Sequence, residues 1–312
     1  MFHRIVETEK DINYKGIEIT VNFLDEIFQY LVKKKYAFIS IDEMYEILKG
    51  RTKMKKKFIV VTFDDGYIDN FTLAYPIIKK YKIPTTIYIT TCFPDRRIKM
   101  WWYGLMQLLC ENNYIDFFFK GKEYCYHTNN EKEKKETFWD LNVLFINETE
   151  NLGILNKCLF EKYNIDLEIF AENETLSWDM VKQFSKDELI TIGAHTVNHL
   201  NLKKLSDEKC KEEMQNSKLR LENILCKPVE HFAYPFGGFE EAGKREFTFA
   251  RELGFKTATT TRTANIFYEH QNNLLSLPRI NINHHMNIND LKYHLDGYYH
   301  ARNCKYKKIV ID

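Results

Sequence analysis

The sequence predicts an α/β fold: a parallel-stranded barrel carrying one mostly helical insertion. Three observations predict it. Short apolar runs rich in β-branched residues alternate with helical patterns through most of the 312 residues, the mark of βα units. An α/β barrel takes about 250 residues, which leaves room for one added segment. That segment is visible at about 93–176, where the βα rhythm stops. No Pro/Gly/Ser linker frames it, so residues 1–312 read as a single domain.

In chain order, Phe2 to Val6 reads as the first strand, and Val21 to Lys35, with FLDEIFQYLVKK at its centre, as the first helix. Asp42 to Leu48 is a second helix, Phe58 to Phe63 a buried strand, Tyr67 to Tyr81 a helix and Thr85 to Thr90 a strand. The insertion follows, opening on the aromatic WWYGLMQLL and carrying the charge cluster NNEKEKKET at 129–137, a solvated helix or loop. The rhythm then resumes with strand Leu189 to Ala194, helix Asp207 to Leu225, strand His231 to Tyr234, helix Lys244 to Leu253, and strands Thr257 to Thr260 and Leu277 to Ile282.

Composition excludes several classes. With 44% hydrophobic residues, 23 Phe, 19 Tyr and 4 Trp, the chain has material for a core and is neither disordered nor fibrous. Forty-five basic against 44 acidic residues leave a net charge of +1, which argues against a nucleic-acid partner. The longest stretch without Asp, Glu, Lys or Arg, Leu189 to Leu202, is 14 residues, short of the roughly 18 a spanning helix needs. The opening MFHRIVETEKD has no apolar signal region, giving a cytoplasmic expectation. Seven scattered cysteines without a C-x-x-C pair, Cys304 the last, read as reduced structural thiols. Nothing in the sequence sets the oligomeric state.

Three segments carry chemistry. IVVTFDDGY at 59–67 runs a strand into adjacent carboxylates Asp64 and Asp65, at the strand end where barrels build active sites. Alone it is also an Asp-Gly turn. Two neighbouring carboxylates repel, and a site that keeps both commonly assigns one to a metal and one to proton transfer. IGAHTVNHLNL at 192–202 places His195 and His199 four apart, which on a helical turn puts both on one face within reach of one ion. Two His and one Asp leave a coordination position open, the catalytic arrangement of zinc. HFAYPFGGF at 231–239 ends a strand in a turn; its functional reading has a backbone N–H near Phe236 as an oxyanion donor within Tyr234, Pro235, Phe236 and Gly237.

Together these residues resemble the polysaccharide deacetylases with the NodB homology domain, carbohydrate esterase family 4. TFDDG at 62–66 and HTVNH at 195–199 match in order, about 130 residues apart. The opening FHRIV, the helix around EITVNFLDEIFQYLVKKKYAFISIDEM and the late LPRI at 277–280 resemble the branch associated with surface-polysaccharide and lipopolysaccharide synthesis. The resemblance implies a distorted (β/α)7–8 barrel and a hydrolase that removes an N-acyl group, acetyl first, from an amino sugar of a saccharide. It implies Asp65, His195 and His199 as ligands of a divalent metal, Zn2+ before Co2+, Mn2+, Ni2+ or Fe2+, with Asp64 as base. Two departures stand out: Ala233 sits where the family's third motif usually carries an arginine, and the late Leu-x-His acid motif is missing. In the branch this chain resembles, an N-terminal histidine and the LPR arginine fill those places, which assigns His3 and Arg279. His284 and His285 are the rival acids. Trp101, Trp102 and Tyr103 suit either sugar stacking or a core. Competing readings are a deformylase acting on a lipid- or nucleotide-linked sugar, a phosphoesterase, and a saccharide-binding barrel without turnover.

Overall fold

The structure is a computed structural model and describes residues 1–12, 16–53, 57–303 and 307–309. Its strands are β1 Arg4–Val6, β2 Glu18–Thr20, β3 Ala37–Phe38, β4 Phe58–Ile59, β5 Val61–Phe63, β6 Thr85–Ile89, β7 Tyr114–Phe119, β8 Lys122–His127, β9 Ile190–Ala194, β10 His231–Ala233, β11 Thr257–Thr263 and β12 Leu277–Arg279. The helices are α1 Val21–Lys33, α2 Ile41–Leu48, α3 Tyr75–Tyr81, α4 Trp101–Glu111, α5 Glu131–Asn147, α6 Leu152–Asn156, α7 Glu168–Glu174, α8 Trp178–Lys186, α9 Asp207–Leu225, α10 Lys244–Glu252, α11 Ile288–Leu295 and α12 Tyr298–Asn303.

Six strands form one parallel sheet in the order β12-β11-β10-β9-β6-β5. It curls into a barrel wall left open between β5 and β12, and the first two residues fill the seam. The Phe2 N–H donates to the Thr62 carbonyl at 2.9 Å and its carbonyl accepts from Asp64, while Met1 exchanges backbone bonds with Ile280 and Ile282. The predicted strand 2–6 is therefore two things: a bridge at Phe2, and β1, which pairs with β2 outside the main sheet. The predicted helix 67–81 is helical from about residue 69, with a π-helical stretch Asn70–Ala74 running directly into α3 at Tyr75. Pro76 sits in the first turn of α3, just after this π-helical stretch, in which the Tyr75 N–H donates to the Asn70 carbonyl.

Apolar faces of α1, α3, α8, α9 and α10 pack on this sheet, with Phe28, Phe63, Phe184 and Phe232 among the fully buried rings. The insertion buries a second core of its own around Trp101, Phe145 and Phe160. It is mostly helical, with one correction: β7 and β8 form an antiparallel hairpin across Lys120 and Gly121. Both turn residues have positive φ, 49° and 77°, as a two-residue hairpin turn requires. Arg4 ties the insertion to the barrel. Its buried guanidinium donates to Asp69 at 2.7 Å, to the Tyr103 hydroxyl and to Glu174, and lies over the Tyr67 ring. The six cysteines among the described residues are free thiols, and Cys304 lies outside them.

Candidate active site

Asp64 and Asp65 leave the C-terminal end of β5 and diverge at once. Asp65 stands at φ 78°, a left-handed conformation that turns its side chain away from that of its neighbour. Asp64 is buried against Arg279 at the end of β12, in a two-pronged contact of 2.6 Å on each carboxylate oxygen. The same guanidinium donates to the Thr260 carbonyl at 2.9 Å and the Thr62 hydroxyl at 3.2 Å, which fixes its plane. Burial pushes the Asp64 carboxyl up, and the Arg279 charge and hydrogen bonds overcome this to hold it below the ordinary carboxylate range.

Asp65 faces the loop after β9. The Nε2 atoms of His195 and His199 each lie 3.2 Å from Asp65 Oδ1. One ligand atom from each of the three residues falls within 4.8 Å of the others, the one such group of three among the described residues. Asp65 Oδ1 is buried without a hydrogen-bond partner, although two imidazole nitrogens flank it. His195 Nδ1 lies 2.7 Å from the Ala233 carbonyl, so it carries the proton and Nε2 presents its lone pair toward Asp65. An orphaned carboxylate oxygen, an imidazole whose tautomer is set by a backbone carbonyl and a second imidazole make a donor set that fits a divalent ion.

The His195–His199 spacing does not act through a helical turn. Residues 195–201 form a loop in which Thr196 and His199 take positive φ, 65° and 54°. Thr196 Oγ1 accepts from the His199 N–H at 3.1 Å. Glu213 of α9 accepts from the backbone N–H groups of Val197 and Asn198 at 3.1 and 2.8 Å and from the Asn198 amide. The sequence reading missed Glu213 and Thr196. Their signal is tertiary, since nothing in the α9 pattern marks one glutamate as a loop clamp.

The other candidates separate. The Phe236 ring lies 4.8 Å from that of His199, and Phe236 itself has φ 59°. Gly237 closes the turn at φ 61°, where a Cβ would meet the Thr261 nitrogen at 2.8 Å. Pro235 is buried in that turn. Tyr234 is a correction: its ring is buried in the core and its hydroxyl donates to the Leu275 carbonyl at 2.9 Å, away from the site. Trp101 and Trp102 are buried, Trp101 stacked on Phe145 and Trp102 6.1 Å from the His199 ring. His3 is half-buried, with Nδ1 unpartnered. Burial pushes its pKa below the ordinary value, opposed by Asp65 and Asp64 and reinforced by Arg279 and His195, so all four are its electrostatic neighbours. His284 instead pairs with Glu9 at 3.3 Å, and His285 is exposed beside it.

The roots of the insertion brace both ligand loops. Thr91 and Cys92 donate to the carbonyls of Thr196 and Val197, and at the other end Leu176 donates to Gly66 and Ile68 to Glu174.

Residues 51–258 match the family model described as Polysaccharide deacetylase. An alignment with YxkH of Bacillus subtilis is 20% identical over 233 residues and covers 75% of this chain. It spans about half of that protein, 55% of its length. A shorter stretch of 83 residues is 28% identical to the poly-beta-1,6-N-acetyl-D-glucosamine N-deacetylase of Escherichia coli, covering 27% of this chain and 12% of that protein. Among solved structures, the Streptococcus pyogenes deacetylase PplD in complex with acetate superposes with a TM-score of 0.61 at 22% identity, over 95% of this chain and 96% of that one. A de-N-acetylase from Aggregatibacter actinomycetemcomitans gives a TM-score of 0.61 at 14% identity, over 94% and 97%. No helix among the described residues is long and apolar enough to cross a membrane.

Proposed function

The chain belongs to the polysaccharide deacetylase family, and from that membership we propose that it is a metal-dependent hydrolase removing an N-acyl group, acetyl first, from an amino sugar of a saccharide in surface-polysaccharide or lipopolysaccharide synthesis. One observation carries the reading: a two-His, one-Asp donor set stands beside a second carboxylate held ionised by a two-pronged arginine. A lone structural ion has no use for Asp64 and is normally closed by four ligands. A phosphoesterase usually gathers ligands for a second metal, and Asp65, His195 and His199 are the one such cluster among the described residues.

Asp65, His195 and His199 would hold the ion, zinc first. When bound, it supplies Lewis acidity and a lowered pKa for water. Asp64, ionised and aimed by Arg279, takes a proton from the water whose oxygen attacks the amide carbon. The backbone N–H near Phe236 steadies the developing oxyanion, and the Phe236 and Trp102 rings wall the pocket beside His199. His3 gives a proton to the amine nitrogen as the C–N bond breaks, leaving a carboxylic acid and a free amino sugar. What supports His3 is that its neighbour Phe2 is bonded to Thr62 and Asp64 of the β5 end and that Asp64, Asp65, Arg279 and His195 are the electrostatic neighbours of its imidazole.

The test is to load the protein with Zn2+ and incubate it with N-acetyl and N-formyl amino sugars, free, nucleotide-linked and oligomeric, following acetate and formate. Acetate release that a chelator abolishes and metal restores supports the reading; formate alone makes the enzyme a deformylase. Saccharide binding without release of either acid refutes it.

A further inference from the structure

At the opposite end of the barrel from the candidate centre lies a groove of about 790 Å³ that the proposed reaction does not use. The centre sits at the C-terminal ends of β5 and β9, whereas the groove is built at the N-terminal ends of β11 and β12. β11 has seven residues, about 20 Å of strand at 3.3 Å each. Lys256 precedes β11, the loop 271–276 precedes β12, Tyr45 and Lys49 come from the end of α2, and α10 lies alongside.

Its chemistry is one-sided. Lys244, Thr248 and Arg251 recur at helical spacing along one face of α10 and line the groove with Lys49 and Lys256, and no Asp or Glu is among the described lining residues. Lys49 and Lys256 flank one aromatic ring, their ammonium groups 5.9 and 5.7 Å from the centre of Tyr45. Lys256 is paired with Glu230 at 2.5 Å and has Asp42 as a further electrostatic neighbour, while Glu46 pairs with Arg51 at 3.1 Å and Glu252 with Lys211 at 2.6 Å. Lys49, Lys244, Arg251 and Lys256 line one concavity that no described Asp or Glu lines, in a chain whose net charge is only +1. Beside them the side-chain amides of Gln271, Asn272 and Asn273 offer paired donors and acceptors. Cations bind a phosphate, and side-chain amides bind sugar hydroxyls. The volume lies within the range of small-molecule sites.

We propose that this groove binds a phosphate-bearing saccharide, a second carbohydrate site remote from the reacting centre. The saccharide part rests on the deacetylase reading; the anion part rests on the groove alone.

The test uses the full chain and glucose 6-phosphate as probe, followed by amide shifts in NMR at low salt, with glucose and inorganic phosphate as separate arms. Glucose 6-phosphate is expected to saturate shifts of groove residues, with inorganic phosphate at least tenfold weaker and glucose silent. Lys49→Glu/Arg251→Glu should weaken it at least tenfold, and the milder Lys49→Gln/Arg251→Gln in the same direction. Both pairs lie on exposed positions and should leave acyl release from a neutral N-acetyl monosaccharide unchanged. Equal affinity for inorganic phosphate and glucose 6-phosphate overturns the saccharide assignment, as does tighter binding of a short DNA duplex or of anionic vesicles through the same residues. Unchanged binding in both variants, or no saturation, overturns the site. These readouts need no turnover, so failure of the groove and failure of the deacetylase reading are told apart.

Discussion

Asp64 and Asp65 are adjacent in the chain and chemically opposite in the fold, one against a guanidinium and the other between two imidazoles. That contrast divides their mutants. Asp65→Asn is expected to lose bound metal, measured by elemental analysis after dialysis, whereas Asp64→Asn should keep it and lose at least about 10² in turnover. Equal metal loss in both refutes the division. His3→Gln should likewise retain metal and lower kcat by about 10² to 10⁴; full activity would return the acid's role to another group. The four residues of the paired motifs were legible because TFDDG and HTVNH are each short enough to be read whole. His3 and Arg279 were not legible from spacing, since Arg279 reaches Asp64 only across the seam from 215 positions away in sequence, and His3 is brought near the carboxylates only by the N-terminal bridge. Tyr234 was misread because a strand residue's face cannot be assigned from the turn that follows it, and its ring went to the core.

Among elements, the turn 235–237 and the hairpin 114–127 make a controlled comparison. Gly237 and Gly121 both have positive φ, but a Cβ at Gly237 meets backbone at 2.8 Å while at Gly121 nothing lies within 4 Å. Gly121→Ala is expected to destabilise by about 1 kcal/mol, the conformational term alone, and Gly237→Ala by about 1 kcal/mol or more beyond that, read from urea midpoints. Equal effects would mean that the 236–237 backbone is free to move. The hairpin had a sequence signal: Ile115, Phe117 and Phe119 alternate with outward positions before Lys120-Gly121, and all three are buried. The aromatic run and the neighbouring charge cluster hid it. The barrel strands were readable because buried parallel strands are continuous β-branched runs. The helical expectation for 195–199 failed because i, i+4 spacing is shared by a helix and by a loop fixed from outside, here by Glu213.

Over the whole molecule, the Arg4 cluster links fold stability to pH. Burial raises the Asp69 carboxyl; Arg4 and the Ile5 N–H oppose this and Glu174 adds to it, leaving it at about 6 against 3.8 unfolded. The folded chain then binds more protons than the unfolded one between about pH 4 and 6. This contribution is full below the unfolded value and is lost as pH rises through 6, at up to about 1.4 kcal/mol per unit. Asp69→Asn should flatten that slope in denaturation curves taken from pH 4 to 7; an unchanged slope assigns the effect elsewhere. The barrel class was legible from periodicity, while its closure was not, because two residues of backbone pairing leave no pattern. That closure also sets a time. Chains are made from the N-terminus at about 5–20 residues per second, and one that has grown only through β11 already contains Asp65, His195 and His199 but neither Arg279 nor the backbone of 280–282 that receives Met1. A nascent chain thus holds the Asp65, His195 and His199 cluster before the guanidinium that fixes the Asp64 carboxylate has been made.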